Sequence, residues 1–121
     1  MRILIVDDFS TMRRIVKNLL GDLGFTNTAE AEDGHAALSL LQSQPFDFVV
    51  TDWNMPVMSG MDFLRALREA RIEPRPRIVF CTTENGMAHI RAAIDAGADE
   101  YIMKPFDRET LESKLQLVGM I

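Results

Sequence analysis

Five times along the 121 residues, a short apolar run is followed by a stretch with helical periodicity. No other feature restricts the fold as far. The runs are Ile3 to Val6, a more polar Thr26 to Ala31, Phe46 to Thr51, Arg77 to Cys81 and Tyr101 to Met103. Continuous apolar character, rather than alternation, is what a strand covered on both faces requires. The stretches between read as helices. In the first, Met12, Ile15, Val16, Leu19, Leu20 and Leu23 fall along one face, with Ser10 as the expected N-cap and Gly24 as the stop. His35 to Ser43 repeats the pattern through Ala37, Leu40 and Leu41; Met61 to Glu69 through Phe63, Leu64 and Leu67; Gly86 to Ala96 through Ile90, Ala93 and Ile94. Pro74 and Pro76 close the third helix, and Asp107 is expected to cap a last one through Leu111, Leu115 and Val118.

This order predicts an α/β fold: a single-domain (βα)5 doubly wound parallel sheet with helices on both faces. The polar second run suits an edge, which the flavodoxin-like strand order 2-1-3-4-5 provides. No low-complexity linker divides the chain, so residues 1–121 are expected to form one domain, with no room for an output domain after Ile121. In such sheets ligands bind beyond the carboxyl ends of the strands where the order reverses, here between strands 1 and 3.

Composition narrows the function. A net charge of −5 weighs against nucleic-acid binding, which needs clustered Lys and Arg. Nowhere do eighteen apolar residues run together, and the N-terminus is strand-like, so a cytoplasmic protein without membrane insertion is expected. Cys81, the single cysteine, reads as a small buried hydrophobe. His35 and His89 read as surface residues, and the eight Met as adaptable packing.

The strand ends carry the chemistry. Strand 1 delivers Asp7 and Asp8, strand 3 Asp52, strand 4 Thr82, and strand 5 Lys104 before Pro105. Carboxylates converging from two neighbouring strands repel unless a cation joins them. A small set of hard oxygen donors with room for water and phosphate is how proteins hold Mg2+; no EF-hand spacing favours Ca2+, and no His or Cys nearby favours Zn2+. Asp52, central among the strand ends, is the expected nucleophile for a phosphoryl group, with Asp7 and Asp8 as metal ligands. Lys104 offers a compact positive charge and Thr82 a hydroxyl to the phosphoryl oxygens.

At this point the chain resembles the receiver domain of two-component response regulators over essentially its whole length. VDDFSTMRR at 6–14, EAEDG at 30–34, DWNMPVMSG at 52–60, TTE at 82–84, AGA at 96–98 and KPF at 104–106 carry the likeness. DDFSTMRR and DWNMP look more like the stand-alone, CheY-like chemotaxis regulators than like an average receiver. The resemblance implies that Asp52 accepts phosphate from a sensor histidine kinase and that the main-chain carbonyl of Asn54 joins Asp7, Asp8 and Asp52 on Mg2+. It implies that Thr82 and Lys104 bind the phosphoryl group while Tyr101 swings inward as the switch. A surface including Ile90, Tyr101 and Lys114 would then dock a flagellar motor switch protein or another output protein, and a phosphatase would be a further partner. Asn54 and Glu84 match positions that influence hydrolysis of the acyl phosphate. Thr83 stands where relatives more often have Ala, and Met87 where the flagellar-motor-binding relatives have Lys; both departures bear on the choice of partner.

Other readings of the same order remain. The receiver could act as a phosphate sink or in a phosphorelay outside chemotaxis. A Mg2+-dependent aspartyl phosphatase would use the same nucleophile, although Asn54 stands where such enzymes place an acid/base Asp. A flavin domain would meet two negative charges in DDFST where it needs free backbone N–H groups. A receiver-like scaffold without phosphorylation leaves the acidic set unexplained. The expectation is thus a signalling switch rather than an enzyme, one that catalyses only its own phosphoryl transfer and dephosphorylation.

Overall fold

The computed structural model describes residues 2–52, 58–73, 75–82, 87–103, 106–117 and 119, without the side chains of 87–89. Five strands and five helices alternate: β1 (Ile3–Val6), α1 (Ser10–Asp22), β2 (Thr28–Ala31), α2 (Gly34–Ser43), β3 (Phe48–Asp52), α3 (Gly60–Ala70), β4 (Arg77–Thr82), α4 (Met87–Asp95), β5 (Glu100–Met103) and α5 (Arg108–Leu117). The sheet is parallel throughout, in the order β2-β1-β3-β4-β5. The expected order and the polar edge strand are therefore both found.

Two apolar layers flank the sheet, and the alternation of side chains along each strand sorts residues between them. Leu4, Val6, Val49, Ile78 and Phe80 pack with Ala37 and Leu41 of α2, Phe63, Leu64 and Leu67 of α3 and Ala93 of α4. Ile3, Ile5, Phe48, Val50, Val79, Cys81 and Ile102 pack with Val16 and Leu20 of α1 and Leu111 and Leu115 of α5. Strands used on both faces explain the continuous apolar runs. Cys81 is buried as expected, and Met58 and Met61 pack against the first layer.

Several boundaries differ from the sequence reading. Phe46 is buried but precedes β3, which instead continues through Asp52, paired with Cys81. β2 begins at Thr28 rather than Thr26. Ser10 is not the N-cap of α1: Phe9 takes that position, its C=O accepting the Arg13 N–H, and its own N–H donates to Asp7 Oδ1 at 3.0 Å. Ile15 and Ile94 are 45% and 42% exposed rather than packed. Each lies about 100° round its helix from the most buried neighbour, Val16 or Ala93, beyond the reach of the sheet. Gly24 does end α1, at φ 95°.

Caps complete the other helices. Asp33 accepts the Ala36 N–H and Ser59 the Asp62 N–H. α3 ends on Arg71 in the left-handed region, at φ 50° and ψ 49°, where a residue with a Cβ is disfavoured by about 1–2 kcal/mol. Asp107 Oδ1 accepts from Thr110 N at 2.9 Å and Thr110 Oγ1 at 2.8 Å, and these bonds, the backbone one first, hold its carboxyl below the ordinary carboxylate range. A depressed folded-state value contributes stability above the unfolded carboxylate value, and that contribution disappears as pH falls through the folded one. Asp107→Ala should therefore lower Tm at neutral pH, and the gap from wild type should close as a calorimetric series is carried down through the carboxylate range. A gap of constant size would assign the effect to something other than the charged cap.

Candidate functional site

Parallel register aligns the strand ends. Val6 pairs with Thr51, so Asp7 emerges from β1 beside Asp52, the last residue of β3. Thr82 ends β4 on the other side of β3. All three are buried, with Asp7 4%, Asp52 6% and Thr82 4% exposed. Asp8 adds a half-buried carboxylate from the β1–α1 turn.

One carboxylate oxygen from each of Asp7, Asp8 and Asp52 lies within 4.8 Å of the other two. Asp7 is tied down: its side chain accepts the Phe9 N–H, and its main-chain N–H donates to Ala31 O at 3.2 Å. Asp8 is not. Its Oδ1 is buried and accepts no hydrogen bond among the described residues. Such an atom carries the full desolvation cost of a charged acceptor unless a cation meets it. Three carboxylates, one with an orphaned oxygen, are a donor set that fits a hard divalent cation such as Mg2+.

Other expected residues are distributed around this cluster. Side-chain alternation sends Thr82 and Phe80 to the same face of β4, and the half-buried Tyr101, paired with Phe80 in register, packs against the layer to which Phe80 belongs. The Lys114 ammonium sits 4.3 Å from the Tyr101 ring centroid and 3.4 Å from Glu100 Oε1, which also accepts the Tyr101 N–H at 2.9 Å. Tyr101 and Lys114 thus meet across β5 and α5, while Ile90 is half-buried on α4. Asn54 and Lys104 lie outside the described residues, as do Trp53, Met55, Thr83, Glu84 and Pro105; so does the side chain of Met87, and so does that of His89.

Arg13 is a structural contributor the sequence did not single out. Its Nη1 donates to Asp7 O at 2.7 Å and its Nε reaches Glu30 Oε1 at 3.1 Å, fastening the acidic turn to the end of β2. The only sequence signal was its place in the quoted stretch at 6–14, one turn into the helix that follows the two aspartates.

The response regulator receiver domain family matches residues 3–116. The chain belongs to that family. This receiver is 55% identical over 119 residues to the chemotaxis protein CheY of Pseudomonas aeruginosa, covering 98% of this chain and 95% of that one. It superposes on the chemotaxis response regulator CheY4 of Vibrio cholerae with a TM-score of 0.87 at 36% identity, over 97% of both chains. The receiver domain of a Pseudomonas aeruginosa sensor histidine kinase, solved with a magnesium ion coordinated in its active site cleft, matches at a TM-score of 0.84 and 25% identity over 98% of this chain and 97% of that one. The protein is a CheY-like response regulator receiver, a component of two-component signalling. Receivers of this kind take phosphate from histidine kinases and act on downstream targets.

Proposed function

We propose that Asp52 is the phosphoacceptor of a chemotaxis switch whose phosphodonor is a sensor histidine kinase. The reading rests above all on the three carboxylates within 4.8 Å at the carboxyl ends of β1 and β3, one of them on the central strand. An Asp52 carboxylate oxygen attacks phosphorus, the new P–O bond forming as the P–N bond to the donor imidazole breaks. Asp7, Asp8, Asp52 and the Asn54 main-chain carbonyl would hold Mg2+, which when bound supplies positive charge to the phosphoryl oxygens. Asp7, fixed through Phe9 and Arg13, keeps its carboxylate in place as charge moves, so the site needs little rearrangement during transfer. The Thr82 hydroxyl and the Lys104 ammonium would meet the remaining oxygens. The chain acts on itself in this scheme and turns over no separate substrate.

Output follows from what Thr82 leaves behind. A hydroxyl drawn toward new acceptor oxygens opens room on its own face of β4, and Tyr101 packs on that face. A difference in contacts between the two states is what shifts their equilibrium. Ile90, Tyr101 and Lys114 would form the partner surface, and the flagellar motor switch protein is the partner favoured by the 55% identity to a chemotaxis CheY.

Beryllofluoride, which binds carboxylates as a phosphoryl mimic, tests the coupling. With Mg2+ present, NMR amide shifts should spread from Asp7, Asp8 and Asp52 to Ile90, Tyr101 and Lys114. Trp53 fluorescence, reported from the residue next to Asp52, should change at each addition. Shifts confined to the carboxylates would mean a phosphorylatable pocket without this output path, as a phosphate sink requires.

A further inference from the structure

A cavity lies at the other end of the sheet from the acidic cluster. The chain carries a net charge of −5, yet Arg65, Arg68, Arg71, Arg75 and Arg77 place five of its thirteen cationic side chains within residues 65–77. Three of these arginines surround this cavity, of about 330 Å³, between the end of α3, the loop into β4 and the α4–β5 turn. Its walls are apolar: Leu64 and Leu67 of α3, Ile72 and Pro76 of the loop, and Ile78 of β4. That volume is at the small end of ligand pockets, which run from about 300 to 1,000 Å³ and combine apolar walls with a few placed polar groups. We propose that this pocket binds a small amphipathic carboxylate, its apolar body against Leu64, Leu67, Ile72 and Ile78 and its carboxylate on Arg71 and the neighbouring guanidinium groups.

The three arginines are not equivalent. Arg68 Nη2 donates to Ala96 O at 3.3 Å, and Arg75 donates to Gly97 O and pairs with Asp99 at 3.6 Å. Both therefore hold the carbonyls that follow α4, where cations favour the helix dipole. That role accounts for Arg68 and Arg75 without any ligand. It does not extend to Arg71, an exposed residue on the cavity's rim whose side chain makes no hydrogen bond or ion pair among the described residues and whose backbone stands in the left-handed region. Of the nearby carboxylates, Asp99 is engaged by the Ile78 N–H at 2.7 Å as well as by Arg75, which leaves Glu73 as the acidic residue on the lining.

The ligand class follows from the two kinds of surface. An inorganic anion would leave the apolar walls wet, and a neutral hydrocarbon would take water from the guanidinium groups without replacing its hydrogen bonds. A carboxylate on an apolar body answers both, because a planar guanidinium matches a carboxylate with two parallel N–H donors.

The test uses the whole chain and three probes: 4-phenylbutyrate, the neutral 4-phenylbutan-1-ol and inorganic phosphate, each followed by NMR amide shifts. Saturable shifts for 4-phenylbutyrate are expected at residues 68–78 and 96–97, with a Kd of about 1 mM or below. The alcohol and phosphate should each bind at least about tenfold more weakly, as should 4-phenylbutyrate to Arg71→Gln, the loss expected for a charged hydrogen-bonding group. Arg71→Gly should also lose binding while raising Tm, since glycine relieves the left-handed backbone. That opposite movement separates a ligand contact from a packing role. No saturation, shifts elsewhere, affinity unchanged in Arg71→Gln, or phosphate binding as well as 4-phenylbutyrate would each overturn the proposal.

Discussion

Asp52→Asn should reduce labelling by a phosphohistidine kinase or by acetyl phosphate to background while leaving the protein folded. The amide is nearly the same shape as the carboxylate but lacks the anionic oxygen that attacks phosphorus. The backbone of Asp52 belongs to the β3–β4 ladder opposite Cys81, and that pairing does not depend on the side-chain charge. Replacing one of three clustered carboxylates also lowers like-charge repulsion, so circular dichroism and thermal melting should show a cooperatively folded variant. Mg2+ binding should weaken in the same variant, since one of the three carboxylates proposed to hold the ion is gone. Mass mapping of the labelled wild type separates the alternatives. Label on Asp52 supports the assignment; stoichiometric label on Asp52→Asn, or label mapped to Asp7 or Asp8, would remove Asp52 from the role and turn the division between nucleophile and metal ligands around.

The meeting of the strand-end residues was readable in the sequence because the fold converts strand position into proximity. Asp7, Asp8, Asp52 and Thr82 sit at the ends of apolar runs, and a parallel sheet brings those ends to one edge whatever the details of the loops. Element boundaries were less legible for a specific reason. An apolar run reports burial, whereas a strand is defined by its hydrogen-bonded ladder. Phe46 is buried outside β3, and the charged Asp52 continues it. The exposed Ile15 and Ile94 illustrate the same gap, because periodicity marks a stripe but not how far a neighbouring sheet extends beneath it.

Specific side-chain contacts away from that edge were much less legible. Arg13 reaches Asp7 and Glu30 only because α1 follows β1 directly and β2 lies beside β1. The Glu100, Tyr101 and Lys114 group requires α5 to return over β5, and nothing in the spacing of those residues announces it. Arg71 is a further case. A left-handed C-cap usually signals itself by glycine, and here an arginine stands there, so the turn was invisible as a motif and became apparent only through its φ.

The effect of the acidic cluster on stability provides the sharpest test of the metal site. Without a cation, Asp7, Asp8 and Asp52 repel one another from within 4.8 Å, and the orphaned Asp8 Oδ1 adds its own desolvation cost. Mg2+ should therefore raise Tm at matched ionic strength. At a hundredfold excess over Kd the linkage amounts to about 2.7 kcal/mol, or roughly 10 °C for a chain of this size. Asp8→Asn should relieve the repulsion and weaken the response to Mg2+. Asp8 is the informative position because Asp7 Oδ1 already accepts the Phe9 N–H, so changing Asp7 would also disturb the turn. A neutral amide at position 8 costs less to bury than a carboxylate and can donate to the carboxylates beside it, raising Tm without metal by an amount on the order of 1 kcal/mol in stability. Its Mg2+-induced rise should shrink. The two melting curves should consequently change order: the variant higher without Mg2+, wild type higher with it. If Mg2+ raised both proteins equally, the ion would be acting on general surface charge, and the three aspartates would not constitute its site. A variant less stable than wild type even without metal would instead give the Asp8 carboxylate a structural partner of its own.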